Sequence, residues 1–336
     1  MRVLICGGTG CIGSHVAQAL LAAGHDVTVL ARHEAEPTPG VRQVTADRGD
    51  PDALARALAG ERFDLTVDLL AWDQDDVFAL HGAHVGRLGR VILISSGQVC
   101  LVARGATPPY READGEGPAL EEPAPDTPDH RQWAYGIGKR RAEAALRAHA
   151  ARAGTEFVIL RLPIVQGAGD RSRRLQAWID RLRDGAPVPL PDGGTRPLRF
   201  VWAGDVGRAV ATLAARWRNG EPVGEVYHLA QPDTVTLRVF LDAVAAAMRV
   251  RPVFFELSLD RPPEGLDPAA WPYASRWCSV LDPARAEREW GFEGTAMPRY
   301  LPGVVAAHLE SPMGTDAWYA QRPREIELAR RRAHAG

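Results

Sequence analysis

The sequence lacks the features that would direct it to a membrane, an oxidising compartment or a polyanion. No apolar run approaches the ~20 residues that cross a bilayer, and the early glycine cluster predicts the absence of a signal peptide. There are 4 cysteines in 336 residues, without a Cys-x-x-Cys pair, which favours reduced thiols over disulfides or a metal site. A formal net charge of −2 gives no general attraction for nucleic acid or anionic lipid. We therefore expect a cytoplasmic protein with no metal, nucleic-acid or membrane partner.

Short β-branched runs alternate with helical patterns along the first half of the chain. This alternation predicts a doubly wound α/β fold, a parallel sheet with helices on both faces. Residues 1–165 are predicted to form this domain, and residues 166–336 mainly a smaller lobe, with 198–232 returning to the sheet. Strands are predicted at 3–6, 26–31, 63–70, 90–95 and 157–162, and helices at 12–23, 51–59, 75–85, 133–151, 171–183, 204–217, 237–248 and 284–290. The alternating charges of 322–332 predict a solvated surface helix.

Residues 107–129 interrupt this pattern with prolines and acidic residues. Such a composition cannot build a core of its own, so we expect a long loop without regular structure. The loop joins the strand that ends near Ser96 to the helix that contains Tyr135. This position predicts a lid on the substrate side, and the alternative is a disordered insertion.

A glycine loop lies between the first predicted strand and the first predicted helix. Gly7, Gly10 and Gly13 follow the spacing G-x-x-G-x-x-G, which lets a pyrophosphate approach the backbone at a helix N-terminus. The loop therefore predicts a nicotinamide dinucleotide as cofactor. The second strand ends at Arg32 without an acidic residue, which favours NADP(H). NAD(H) stays open, because Arg32 could equally be an exposed arginine beside the adenine.

Tyr135 and Lys139 are four residues apart in a predicted helix and so share one face. A free phenol has a pKa of about 10, and a neighbouring ammonium stabilises the phenolate. We therefore expect a lowered pKa for Tyr135. Ser95 and Ser96, at the end of the fourth predicted strand, supply a hydroxyl. Together these groups predict a site that polarises a carbonyl oxygen and exchanges a proton with it.

These residues resemble the extended branch of the short-chain dehydrogenase/reductase family, whose members are described as NAD-dependent epimerase/dehydratase-like. The resemblance implies a Rossmann-type domain with a smaller C-terminal substrate-binding lobe, and homodimers are usual in the family. It covers nearly the whole chain through the following motifs: Gly7–Gly13, Asp47, Leu70–Ala71, Ser95–Ser96, Tyr135 with Lys139, 161–167, 201–206, 279–282 and 290–292.

The resemblance also implies roles for individual residues. Ser96 and Tyr135 would be catalytic, and Lys139 would bind the nicotinamide ribose and tune Tyr135. Asp47 would meet the adenine amino group, and Leu70 and Ala71 would pass along the cofactor by their backbone. The full set of implied cofactor-binding residues is Gly7, Thr9, Gly10, Cys11, Ile12, Gly13, Arg32, Asp47, Leu70, Ala71, Lys139 and Pro163.

Departures from the family pattern narrow the range of reactions and substrates that we expect. Sugar-nucleotide dehydratases carry an Asp-Glu pair where this chain has Gly97-Gln98, and neither residue can ionise. The asparagine and arginine that serve a substrate diphosphate are replaced by Pro163 and Leu198. We expect Gln98, together with Arg196 and Arg199 near Leu198, to bind a small-molecule substrate.

The sequence favours an oxidoreductase that reduces or oxidises a keto or hydroxyl carbon. A sugar-nucleotide epimerase could use the same site. A non-catalytic NADP sensor or RNA-associated relative is a third interpretation, although such proteins commonly lose the tyrosine or the lysine.

Overall fold

A computed structural model describes residues 1–33, 38–82, 87–310, 313 and 317–335. The strands are β1 (Arg2–Cys6), β2 (Asp26–Ala31), β3 (Arg42–Thr45), β4 (Leu65–Asp68), β5 (Arg90–Ser96), β6 (Phe157–Leu162), β7 (Ile164–Gln166), β8 (Val188–Pro191), β9 (Pro197–Leu198), β10 (Phe200–Trp202), β11 (Val226–His228), β12 (Val235–Thr236) and β13 (Phe254–Leu257). The helices are α1 (Cys11–Ala22), α2 (Pro51–Ala57), α3 (Gln74–Val77), α4 (Gln98–Leu101), α5 (Pro128–Ala153), α6 (Arg174–Arg183), α7 (Ala203–Arg218), α8 (Leu237–Met248), α9 (Ala284–Trp290), α10 (Met297–Leu309) and α11 (Arg322–Ala335). No helix in these ranges is long and apolar enough to cross a membrane.

The main sheet confirms the predicted Rossmann-type α/β fold. Within the described residues it has seven strands in the order β11-β6-β5-β4-β1-β2-β3, and every pairing in it is parallel. The central strands are buried on both faces, which explains their continuous apolar runs. The edge strand β3 was not predicted, because its polar, half-exposed sequence carries no such run.

The strand order changes direction at β1, because β2 lies on one side of it and β4 on the other. This change of direction determines where the cleft lies. Chains leaving the carboxyl ends of β1 and β4 turn to opposite sides of the sheet and open a crevice between them. The glycine loop follows β1, Leu70 follows β4, and Ser96 ends β5. The fold therefore gathers residues that are distant in sequence at one edge of the sheet.

A second apolar core lies in the smaller lobe. It packs α6, α8 and α10 around aromatic side chains such as Trp178, Phe200 and Phe240. Helix α10 was not predicted, because it includes Pro302 and begins with a proline in its first turn. Its apolar face packs on α8 and α6, which offsets the weak local preference for a helix. Residues 198–232 supply α7, which packs on α1, and β11, which pairs with β6.

Several local predictions need correction. The stretch predicted as a helix at 75–85 is the short helix α3 followed by a π turn at Phe78–Gly82, and 83–86 lie outside the described residues. The tail helix α11 is not merely solvated at its start. The guanidinium of Arg322 is buried and bonds Asp184, while the buried Glu325 carboxylate pairs with Arg181. Buried ion pairs that join distant segments leave no periodic signal in the sequence.

The segment 107–129 is ordered, contrary to the expectation of a loop without regular structure. A 3-10 turn covers Glu112–Glu116, and Tyr110 and Ala119 form bridges to neighbouring segments. The buried Arg161 guanidinium donates to the Glu112 carbonyl at 2.7 Å. Polar contacts to the domain thus replace the apolar core that this composition lacks.

Candidate functional site

The glycine loop forms a cradle at the start of α1. Gly7 has a φ of 92°, which favours glycine. A Cβ on Gly13 would lie 2.3 Å from the Gly7 carbonyl oxygen, whereas a Cβ on Gly10 would meet nothing closer than 3.9 Å. No side chain caps the N-terminus of α1, so its first N–H groups and the positive end of its dipole remain available to a ligand in the cleft. These features fit the diphosphate of a dinucleotide, with Gly10, Cys11, Ile12 and Gly13 lining the cleft.

Tyr135 and Ser96 meet on the opposite wall of the cleft. The Tyr135 phenol hydrogen-bonds to Ser96, and the Ser96 hydroxyl oxygen also accepts the Gln98 backbone N–H at 3.1 Å. Burial raises the pKa of Tyr135, and the bond to Ser96 offsets this only in part. The expected lowering of the phenol pKa by the ammonium was wrong for the chain without cofactor. Lys139 Nζ lies 5.9 Å from the centre of the Tyr135 ring and is directed elsewhere.

Lys139 is held by backbone carbonyls. Its Nζ donates to the Ala71 oxygen at 2.6 Å and to the Ile94 oxygen at 3.2 Å. Burial lowers the pKa of Lys139 to about 8, although the charges of Asp68 and Glu143 act in the opposite direction. An ammonium has three N–H donors, so one remains for a ribose hydroxyl. The amine therefore links β4, β5 and α5 beside the phenol.

A buried polar network supports this wall from behind. The Ser95 hydroxyl donates to Glu143 at 2.6 Å, and the Arg161 guanidinium makes two bonds to the same carboxylate, at 2.9 and 2.6 Å. Ser95 and Arg161 are paired residues of β5 and β6. Because Glu143 is one turn beyond Lys139 on α5, the network fixes that helix against the strand carrying Ser96.

A second buried pair orders the loop after β4. The Asp68 carboxylate accepts the backbone N–H groups of Leu70 and Ala71 at 2.9 and 3.2 Å, and Arg48 bonds both of its oxygens. Burial alone would raise the pKa of Asp68, but the charge and hydrogen bonds of Arg48 lower it. The carboxylate thus stays ionised and holds the backbone that the family likeness assigns to the cofactor.

Only some of the remaining predicted cofactor residues line the cleft. Leu70 and Pro163 line it, and Thr9 lies half-buried in the glycine loop. Arg32 is exposed at the end of β2, and Asp47 follows β3 and accepts the Gly49 N–H at 2.9 Å. Both therefore lie at the carboxyl edge of the sheet, where the sequence predicts that the adenosine binds.

The predicted substrate residues divide into two groups. Gln98 lines the cleft, and its side-chain amide donates to Gln132 at 2.9 Å. The guanidinium of Arg199 instead donates to the backbone carbonyls of residues 231, 232 and 281, so its predicted contact with substrate is not supported. Arg196 pairs with Asp192 at 3.7 Å and does not line the cleft either. Arg199 thus joins the chain near residue 231 to the chain near residue 281.

Sequence reasoning missed most of the side chains on the substrate side. The cleft has a volume of about 660 Å³, and its unpredicted polar and aromatic lining residues are Trp72, Arg131, Gln132, Asp170, Arg171, Ser172, Arg174, Trp277 and Ser279. Arg131 and Gln132 could have been found, because they precede Tyr135 by four and three residues on the same helix. The residues from the smaller lobe could not, because only its packing brings them to the cleft.

Comparisons with known proteins agree with this geometry. A family model described as "NAD dependent epimerase/dehydratase family" matches residues 3–230. The 2'-dehydrokanamycin reductase of Streptomyces kanamyceticus is 32% identical over 74% of this chain and 67% of its own. A 3-diazoavenalumate denitrifying reductase from a Streptomyces species is 32% identical over 63% of this chain and 72% of its own. The structure of a UDP-glucose 4-epimerase from Thermotoga maritima matches with a TM-score of 0.72 at 18% identity, covering 92% of this chain and 99% of that one.

Proposed function

Because the chain belongs to the NAD-dependent epimerase/dehydratase family, we propose that it reduces a ketone of a small molecule, or oxidises the corresponding alcohol, with a nicotinamide cofactor. One observation carries the proposal: Ser96, Tyr135 and Lys139 line the same cleft as the glycine loop. A carbonyl bound between Ser96 and Tyr135 would meet two hydroxyl groups. These are the donors that a developing alkoxide needs.

Each residue has a distinct part in this mechanism. The Ser96 hydroxyl donates a hydrogen bond to the substrate oxygen, and Tyr135 transfers its proton to that oxygen as negative charge develops there. A phenol is protonated near neutrality, as a proton donor in the reducing direction has to be. A nicotinamide cofactor held in this cleft would supply or accept the hydride. Lys139 and the glycine loop would hold the cofactor by its ribose and its diphosphate.

Net reduction or oxidation is favoured over the other reactions of the family. Gly97 and Gln98 offer no ionisable group for the elimination of water, and the Gln98 amide is already paired with Gln132. Two relatives named as reductases share 32% identity with this chain. A sugar-nucleotide epimerase is the second candidate, since the same three side chains would also serve a reaction in which the cofactor's hydride returns to the opposite face of a substrate.

The cofactor is proposed to be NADP(H). Arg32 is exposed at the end of β2, where a guanidinium can form paired hydrogen bonds with a 2′-phosphate. Among the described residues, no acidic side chain occupies the tip of this strand, where NAD(H) would require an acceptor for its ribose hydroxyls.

The test is cofactor consumption by the purified protein. NADPH oxidation is followed with a panel of sugar ketones, aryl ketones and sugar nucleotides, with the Tyr135→Phe variant as the matched control. We expect stoichiometric oxidation with at least one ketone and none with the variant. Isomerisation of a sugar nucleotide without net consumption would instead establish the epimerase. Binding of NADPH without turnover across the panel would point to a sensor.

A further inference from the structure

The substrate side of the cleft carries an excess of positive charge. Arg131, Arg171 and Arg174 line it, and Asp170 is the one acidic residue among its described lining residues. The Asp170 carboxylate is occupied by Ser172, accepting that residue's backbone N–H at 2.9 Å and its hydroxyl at 2.6 Å. The carboxylate keeps its charge, but three guanidinium groups outnumber it, so the lining of the cleft carries a net positive charge.

Arg131 is the arginine nearest to the reacting residues in sequence. It lies on α5 one turn before Tyr135, so both side chains leave the same face of the helix. The residue is exposed, and among the residues that the structure describes its guanidinium has no hydrogen bond or ion pair. Its charge is available to a ligand.

Arg174 approaches the same space from the smaller lobe. It is the first residue of α6, its guanidinium carbon lies 5.7 Å from the centre of the Tyr273 ring, and its Nε donates to the Ser172 hydroxyl at 3.0 Å. The Ser172 carbonyl in turn accepts the Trp318 indole N–H at 3.0 Å. The charge of Arg174 also acts on Tyr135, where it opposes the effect of burial on the phenol pKa. Arg174 is thus positioned by its neighbours, and no hydrogen bond from its terminal N–H groups to another described residue is present.

We propose that the substrate carries an anionic group, a carboxylate or a phosphate, which Arg131 and Arg174 bind beside the carbonyl that Tyr135 protonates. This inference rests on the proposed function, because it assigns the substrate class of the same site. Charge-assisted bonds from a guanidinium to an oxyanion are strong and directional. A substrate with several ammonium groups would meet like charge throughout this side of the cleft. The two arginines therefore select for anionic ketones.

The test measures binding rather than turnover. Calorimetric titrations of the NADP⁺-saturated enzyme compare benzoylformate with its uncharged amide, and phenyl phosphate with phenol. We expect the anion of each pair to bind about ten- to a hundredfold more tightly, and more weakly as salt increases. Arg131→Gln and Arg174→Gln should each remove most of that margin and leave amide binding unchanged. The matched control is Arg141→Gln on the same helix, because Arg141 is paired with Asp73 and does not line the cleft.

The outcomes separate this inference from the proposed reaction. Equal affinity for anion and amide, or a margin that survives both substitutions, would overturn it. A parallel loss of NADP⁺ affinity in the two variants would also overturn it, because the arginines would then serve the cofactor. A larger margin for phenyl phosphate identifies a phosphate substrate, and a larger margin for benzoylformate a carboxylate. Anion selectivity without any NADPH oxidation would leave the anion site standing and refute the reductase.

Discussion

The two ends of the cleft are built in different ways. At the reacting end, buried side chains each form several hydrogen bonds. Lys139 donates to two backbone carbonyls, and Glu143 accepts hydrogen bonds from Ser95 and Arg161. At the proposed adenine end Arg32 is exposed, and no described residue forms a hydrogen bond or ion pair with its guanidinium. Buried networks fix a geometry and contribute to folding, whereas an exposed side chain changes the affinity of one ligand. Substitutions at the two ends should therefore fail in different assays.

The largest effect is expected at the phenol itself. Tyr135→Phe removes the proton that passes to the substrate oxygen, so kcat should fall by roughly 10²- to 10⁴-fold. Cofactor affinity should be unchanged, because the glycine loop and Lys139 are intact. Steady-state kinetics and a cofactor titration on the same preparation measure both. Near-normal turnover by the variant would remove Tyr135 from the mechanism.

Glu143→Ala tests the support behind the reacting end. It removes the buried carboxylate that pairs with Arg161 and leaves that guanidinium only the exposed carboxylate of Glu116, at 3.2 Å. Breaking a buried pair typically costs about 3–5 kcal/mol in the free energy of unfolding. Urea unfolding of the cofactor-free protein measures the loss. Arg141→Ala, which removes an exposed ion pair from the same helix, should cost less than about 1 kcal/mol. Equal costs for the two variants would show that burial of the network contributes nothing.

Lys139 predicts a pH dependence of stability. Its pKa is lowered from 10.5 to about 8 in the folded chain, so between these values the unfolded chain binds the proton and the folded chain does not. The free energy of unfolding should therefore rise with pH across this window, by up to about 3 kcal/mol for this group. The Lys139→Met variant has no amine that titrates. The free energy of unfolding of the wild type should therefore rise relative to that of the variant between pH 8 and pH 10.5. A constant difference would mean that the ammonium is not destabilised by burial.

Arg32→Ala tests the adenine end. If the guanidinium binds the 2′-phosphate, the loss of about 1.5–3 kcal/mol corresponds to roughly a ten- to hundredfold weaker affinity for NADPH. NADH affinity and the unfolding free energy should stay within error, because Arg32 is exposed and its side chain forms no hydrogen bond or ion pair with a described residue. Equal affinity of the unsubstituted protein for the two cofactors would show that Arg32 does not choose between them.

The sequence predicted the parts of this molecule that depend on local pattern. Apolar runs located the central strands, and glycine spacing located the cradle of Gly7, Gly10 and Gly13, because both signals follow from backbone requirements within a short window. Tyr135, Lys139 and Ser96 were found through their family motifs. Their positions relative to one another follow from the strand order.

The parts that depend on distant partners were not predicted. Arg174 and Trp277 reach the cleft only through the packing of the smaller lobe. Arg199 carries the charge expected of a substrate ligand, but backbone carbonyls occupy its guanidinium. Composition misled most strongly at 107–129, where acidic and proline-rich sequence is ordered by the buried Arg161. A buried guanidinium that orders a polar segment has no signature in that segment.

The smallest effect is expected within 107–129, whose two halves differ as the ends of the cleft do. A Cβ on Gly115 would lie 2.4 Å from an Arg161 guanidinium nitrogen, so Gly115→Ala must displace the buried network and lower the unfolding free energy. Residues 124–126 are exposed and precede the cap of α5. Replacing them with Gly-Ser-Gly should cost no more than about 1 kcal/mol, mainly because losing Pro125 leaves the unfolded chain less constrained.

Urea unfolding of both variants makes the comparison, with KM for the substrate as a second measurement. A large loss of stability from the 124–126 replacement would show that this half is anchored as well. A raised KM with unchanged stability would restore the substrate-side role that the sequence predicts for the segment.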